Sequence, residues 1–132
     1  MSCKSILVVD DDANVRSTLA AILSQTGYRV VTAGLVCDAI ESLITDCIDL
    51  VLLDMKMPDM GGQALLSQLH LVFPDLPVMV LTGHPAMSFV DGAERFGTKG
   101  YFLKPVDPVL LLKCVNEVLS ESEAPRNKTS LQ

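Results

Sequence analysis

Apolar and polar positions come in blocks along this chain. The run Ser5-Ile6-Leu7-Val8-Val9 leads into Asp10-Asp11-Asp12, and Ile48-Asp49-Leu50-Val51-Leu52-Leu53 leads into Asp54. Val78-Met79-Val80-Leu81 ends at Thr82, and Tyr101-Phe102-Leu103 ends at Lys104-Pro105. Short runs rich in Val and Leu, separated by helical stretches, read as strands buried on both faces of a parallel sheet. A further strand, Tyr28 to Ala33, carries more polar residues and is expected nearer an edge.

Helical periodicity fills the intervals. Ala13 to Gln25 repeats apolar residues at Val15, Leu19, Ile22 and Leu23, with Asp12 placed to cap its start and Gly27 to stop it. Val36 to Thr45 directs Ala39, Ile40, Leu43 and Ile44 toward the core, and Gly62 to Val72 directs Leu65, Leu66 and Leu69. Met57 to Gly62 forms a loop with strong turn signals. A fourth helix, His84 to Phe96, is weakly specified, with Pro85 near its start and Gly92 inside it. An interior Gly costs roughly 1 kcal/mol relative to Ala. Asp107 and Pro108 open a fifth helix that is expected to reach about Leu119. Its apolar residues, Val109 to Leu112, Val115, Val118 and Leu119, cover more than one core stripe requires. They read either as a broad buried face or as part of a partner or dimer surface.

Five strand–helix units joined by right-handed crossovers place helices on both sides of the sheet. The fold class is therefore α/β, a three-layer α/β/α sandwich whose strand order the periodicity leaves open. The domain spans residues 4–120, and residues 121–132 lose periodicity and read as a polar tail or the start of a linker.

With 132 residues the chain suits one domain with a real core. No apolar run approaches the ~20 residues that span a bilayer, and no basic segment followed by a long apolar stretch opens the sequence. A membrane role is not expected. A net charge of −6 argues against direct nucleic-acid binding. Cys3, Cys37, Cys47 and Cys114 form no CxxC pair, and His70 and His84 do not lie at metal-ligand spacing from them. Reduced, partly buried thiols and a cytoplasmic location are expected.

In open parallel sheets ligands bind beyond the carboxyl ends of the strands. Asp10, Asp11, Asp54, Thr82 and Lys104 should therefore converge on one site. Two carboxylates ~4 Å apart repel by about 4 kcal/mol at an effective dielectric of 20. A hard cation relieves this, and Mg²⁺ suits a few carboxylates together with waters and a phosphate. Each residue also has an ordinary explanation. Asp10 and Asp11 could cap the first helix, Asp54 could serve a turn, Thr82 could simply end a strand, and Lys104 could be solvated. Their joint occurrence at successive strand ends argues for the site.

Four segments carry a family resemblance: Ile6-Leu7-Val8-Val9-Asp10-Asp11-Asp12, Asp54-Met55-Lys56-Met57-Pro58-Asp59-Met60-Gly61-Gly62, Leu81-Thr82-Gly83 and Gly100-Tyr101-Phe102-Leu103-Lys104-Pro105. With these the chain resembles the CheY-like receiver domain of two-component response regulators. The resemblance implies a flavodoxin-like, five-stranded parallel sheet of order 2-1-3-4-5. It implies that Asp54 accepts a phosphoryl group from a sensor histidine kinase or phosphotransfer protein. It implies Mg²⁺ on Asp11, Asp54 and the Lys56 backbone carbonyl, with Asp10 acting mainly through water. Thr82 and Lys104 would meet the phosphoryl oxygens, Thr82 and Tyr101 would form the switch, and the Lys104–Pro105 peptide would be cis. The output surface, and the face of any homodimer, would be the fourth helix, fifth strand and fifth helix. Tyr101 has the alternative of a packed strand residue.

Gly61 stands where the family often caps its third helix with Asp, Asn or Ser, a mild departure. Lys56 and His84 lie two residues past Asp54 and Thr82, where they are expected to tune the lifetime of the phosphoaspartate, or else to be exposed loop side chains. Such a domain assists its own phosphorylation and dephosphorylation but does not turn over external substrates. Two rivals remain: a pseudo-receiver that signals by contact alone, against which the intact residue set argues, and a small Mg²⁺-dependent phosphatase, for which no second general acid is evident.

Overall fold

Residues 6–9 and 50–53 are uniformly apolar, and the segments Ser5–Val9 and Leu50–Asp54 form central strands buried throughout. The computed structural model describes residues 4–54, 62–82, 98–103 and 106–123. The strands are β1 (Ser5–Val9), β2 (Arg29–Ala33), β3 (Leu50–Asp54), β4 (Val78–Thr82) and β5 (Thr98–Leu103). They pair in parallel in the order β2-β1-β3-β4-β5. The more polar β2 lies at the edge, as its composition predicts.

Alternation along each central strand divides the core in two. Leu7, Val9, Val51, Leu53, Val78 and Val80 pack against Val36, Ala39 and Leu43 of α2 (Val36–Thr45) and Leu69 of α3 (Gly62–Val72). Ile6, Val8, Leu50, Leu52, Met79 and Leu81 face the other way. They meet Leu19 and Leu23 of α1 (Ala13–Gln25) and Leu111, Val115 and Leu119 of the C-terminal helix (Pro108–Glu123). The result is the expected three-layer α/β/α sandwich of flavodoxin-like order.

Local chemistry fixes the helix ends. Asp12 Oδ1 accepts from the Asn14 and Val15 amides at 2.8 and 3.4 Å, capping α1. At its other end Gly27 adopts φ 97°, where the Gly27 amide donates to Ser24 O and the Tyr28 amide to Leu23 O. This is the Schellman arrangement, which favours Gly because a Cβ is strained at positive φ. Asp107 Oδ1 accepts from the Val109 amide at 3.0 Å at the start of the C-terminal helix.

Some expectations are corrected. Ile44 is 74% exposed, and Val36 takes its place on the buried stripe of α2 with Ala39, Ile40 and Leu43. The spacing i, i+3, i+4, i+7 forms one face, from which Ile44 is rotated away. Strand β5 begins at Thr98, three residues before its apolar run Tyr101-Phe102-Leu103, and pairs with β4 across a register shift at Val78/Met79. The C-terminal helix continues past Leu119 to Glu123, since Ser-Glu-Ser-Glu holds no breaker until the approach to Pro125. Its wide apolar surface is split. Leu111, Val115 and Leu119 are buried, whereas Val109 and Leu110 are 76% and 49% exposed. Cys37 and Cys47 are exposed rather than partly buried, and the described cysteines are free thiols. The proposed fourth helix and residues 124–132 lie outside the described residues, as do the side chains of Leu65 and Leu66. Among the described residues no helix is long and apolar enough to cross a membrane.

Candidate functional site

The carboxyl ends of β1 and β3 are adjacent because the two strands pair in register, Val9 opposite Leu53. Each is followed, or ended, by an aspartate. Asp10 directly follows β1 and Asp54 is the last residue of β3, so both project at the same edge of the sheet. Asp10, Asp11 and Asp54 each offer a carboxylate oxygen, and the three oxygens lie within 4.8 Å of one another. Asp10 and Asp54 are 0% and 3% exposed, and Asp11 is open to solvent.

The turn that delivers Asp10 and Asp11 is tied down at several points. The Asp10 amide donates to Ala33 O at 3.1 Å, continuing the β1–β2 ladder past its last pair. Asp10 Oδ1 accepts from the Asp12 amide at 2.9 Å. The Asp10 carbonyl accepts from Arg16 Nη1 at 2.7 Å. Capping of α1 falls to Asp12, so the explanation of Asp10 and Asp11 as helix caps does not hold.

The two buried carboxylates, Asp10 and Asp54, repel by roughly 3 kcal/mol at this separation and an effective dielectric of about 20. The donor set is all oxygen, anionic and open to water on the Asp11 side. That fits a hard divalent cation such as Mg²⁺, which keeps several of its waters. It does not fit a soft thiolate-seeking metal.

Thr82 ends β4 beside this cluster. Leu81 is the register partner of Asp54, and Thr82 pairs with Leu103 on its other side. Tyr101 lies on β5 opposite Val80. The side chains of Thr82 and Tyr101 lie outside the described residues, as do Lys56, His84, Lys104 and the Lys104–Pro105 peptide. Arg16 escaped the reading of the sequence. It sits on the polar part of α1 six residues from Asp10, and only the tertiary turn brings its guanidinium to the Asp10 carbonyl.

The sequence profile of the response regulator receiver domain matches residues 6–116. This chain belongs to that family. It is 32% identical over 117 residues to the transcriptional regulatory protein GlrR of Escherichia coli (strain K12), covering 89% of this chain and 26% of GlrR. It is 34% identical over 127 residues to the transcriptional regulatory protein ZraR of Klebsiella oxytoca, covering 94% of this chain and 29% of ZraR. The receiver domain thus spans less than a third of the length of these curated relatives. Its fold is similar to the crystal structure of a CheY-like response regulator receiver domain protein from Methanospirillum hungatei JF-1. The TM-score is 0.89 at 33% identity, covering 92% of this chain and 98% of that one. Receiver domains are signalling phosphoacceptors rather than turnover enzymes. They bind Mg²⁺ at acidic residues and interact with histidine kinases or phosphotransfer proteins.

Proposed function

We propose that Asp54 is the phosphoacceptor of this receiver domain. The observation that carries the reading is the meeting of Asp10, Asp11 and Asp54 at the carboxyl edge of the sheet in a chain of this family. An Asp54 carboxylate oxygen attacks the phosphorus of a phosphohistidine on a kinase or phosphotransfer partner. The O–P bond forms, the P–N bond breaks, and the imidazole nitrogen leaves with the electron pair. Phosphoryl transfer needs positioning and charge neutralisation more than covalent chemistry from the protein.

Asp11, Asp54 and the Lys56 carbonyl would hold Mg²⁺, with Asp10 acting through water. Bound there, the ion neutralises charge on the carboxylates and on the transferred phosphoryl group. Thr82 and Lys104 are assigned to the phosphoryl oxygens, and Lys56 and His84 to the lifetime of the acyl phosphate. The new charge, about −1.5 to −2, draws Thr82 inward, and Tyr101 follows into the space it leaves. The reading surface is then the segment between β4 and β5, together with β5 and the C-terminal helix. The names of GlrR and ZraR support an output in transcription carried by a module other than residues 4–120. The net charge of −6 supports a receiver that does not itself contact DNA.

Thermal melting with Mg²⁺ and the phosphoryl analogue beryllofluoride tests this. Stabilisation that needs both components and is absent from Asp54→Ala is expected. Equal stabilisation of the variant would refute Asp54 as the acceptor.

A further inference from the structure

Arg16 belongs to α1, yet its guanidinium leaves the helix to reach the turn after β1. Nη1 donates to the Asp10 carbonyl at 2.7 Å. The same group lies against Gly34, at the end of β2. A Cβ on Gly34 would stand 2.7 Å from Nη1 and 3.2 Å from Cζ, so the guanidinium would have to shift from its present seat. The Asp10 amide is meanwhile held by Ala33 O, the residue before Gly34, and Asp10 Oδ1 accepts from the Asp12 amide. Arg16 therefore ties α1 to the Asp10 peptide, with its guanidinium seated against Gly34 at the β2–α2 junction.

We propose that Arg16 is a positioning residue for the metal site, acting through the Asp10 backbone, and that Gly34 serves the same role by seating the guanidinium. The proposal rests on the Mg²⁺-binding reading above. The aspartates at positions 10 and 11 share one turn, so a shift of the Asp10 peptide displaces both carboxylates relative to Asp54.

The sign of the effect separates positioning from charge. A cation near three carboxylates opposes the entry of Mg²⁺ by Coulomb repulsion. If charge were the whole role of Arg16, its removal would tighten Mg²⁺ binding. If Arg16 positions Asp10 and Asp11, removal weakens it. Partners that orient metal ligands typically contribute 10- to 100-fold in affinity.

The test is calorimetric titration of the 132-residue chain with Mg²⁺ alone, with metal-free melting to check the fold. Arg16→Ala is expected to weaken binding by about tenfold or more. Arg16→Lys, which keeps the charge and a single donor, should recover part of it. Gly34→Ala should reproduce the loss with Arg16 intact, and the double variant should be no worse than either single one, as expected for residues acting through one contact. Unchanged or tighter binding in a folded Arg16→Ala protein would overturn the proposal. So would fully additive losses in the double variant. If Arg16→Ala does not fold, Gly34→Ala and Arg16→Lys decide the matter by the same criteria. Wild-type protein that binds no Mg²⁺ would overturn the metal-site reading and this inference together. Wild-type binding that Asp54→Asn abolishes but Arg16→Ala and Gly34→Ala leave intact would overturn this inference alone.

Discussion

Asp54 sits in a conflict that the fold itself creates. Backbone pairing of β1 with β3 brings it to Asp10, and burial removes the water that would screen the two charges. A hydrogen-bonded turn around Asp10 offsets part of that cost but cannot separate the charges. Metal-free Asp54→Asn protein should therefore melt higher than wild type, by roughly 2–6 °C if about 1 kcal/mol of repulsion is relieved. Saturating Mg²⁺ should narrow or reverse the difference, because only wild type keeps the full ligand set. Differential scanning calorimetry with and without chelator checks both halves. A lower melting temperature for metal-free Asp54→Asn would show that hydrogen bonds to Asp54 outweigh the repulsion. At this scale the acidic residues were legible because each ends an apolar run. Arg16 was not, since nothing in its neighbours on the helix distinguishes it from a solvated arginine.

Elements were legible wherever periodicity and end signals agreed. Helix α1 has Asp12 before it and Gly27 after it, and both act as their chemistry requires. Helix α2 has the bounds that its periodicity predicts, Val36–Thr45, but Ile44 extends the apolar cluster without lying on the buried stripe. The first residues of β5, Thr98 and Lys99, gave no apolar signal; Thr98 pairs with Val78 of β4 ahead of the register shift at Val78/Met79. The C-terminal helix has the most consequential surface. Its exposed Val109 and Leu110 stand beside a buried row, and we propose that they form part of a face for a second copy of the domain. We therefore expect beryllofluoride and Mg²⁺ to increase concentration-dependent self-association in sedimentation, and Val109→Glu with Leu110→Glu to suppress it. A monomer at every concentration in the activated wild type would contradict a dimer through this face.

For the molecule as a whole, the parallel order β2-β1-β3-β4-β5 explains why the chemistry gathers at one edge. All five strands point the same way, so residues far apart in sequence, Asp10, Asp54 and Thr82, reach the same end of the sheet. The opposite end carries the crossovers back, and among the described residues it contributes nothing to the acidic cluster. Strand order came from resemblance rather than periodicity, because hydrophobic pattern marks a strand as central or peripheral without naming its neighbours. We propose that this arrangement makes Asp54 the acceptor of a phosphoryl group. The most direct test is the intact mass of wild type and Asp54→Ala after incubation with acetyl phosphate and Mg²⁺, followed by peptide mapping. A gain of one phosphoryl mass on Asp54, lost in the variant and on chelation, is predicted. An unmodified wild type that nonetheless binds Mg²⁺, or a phosphoryl group on another residue, would contradict it.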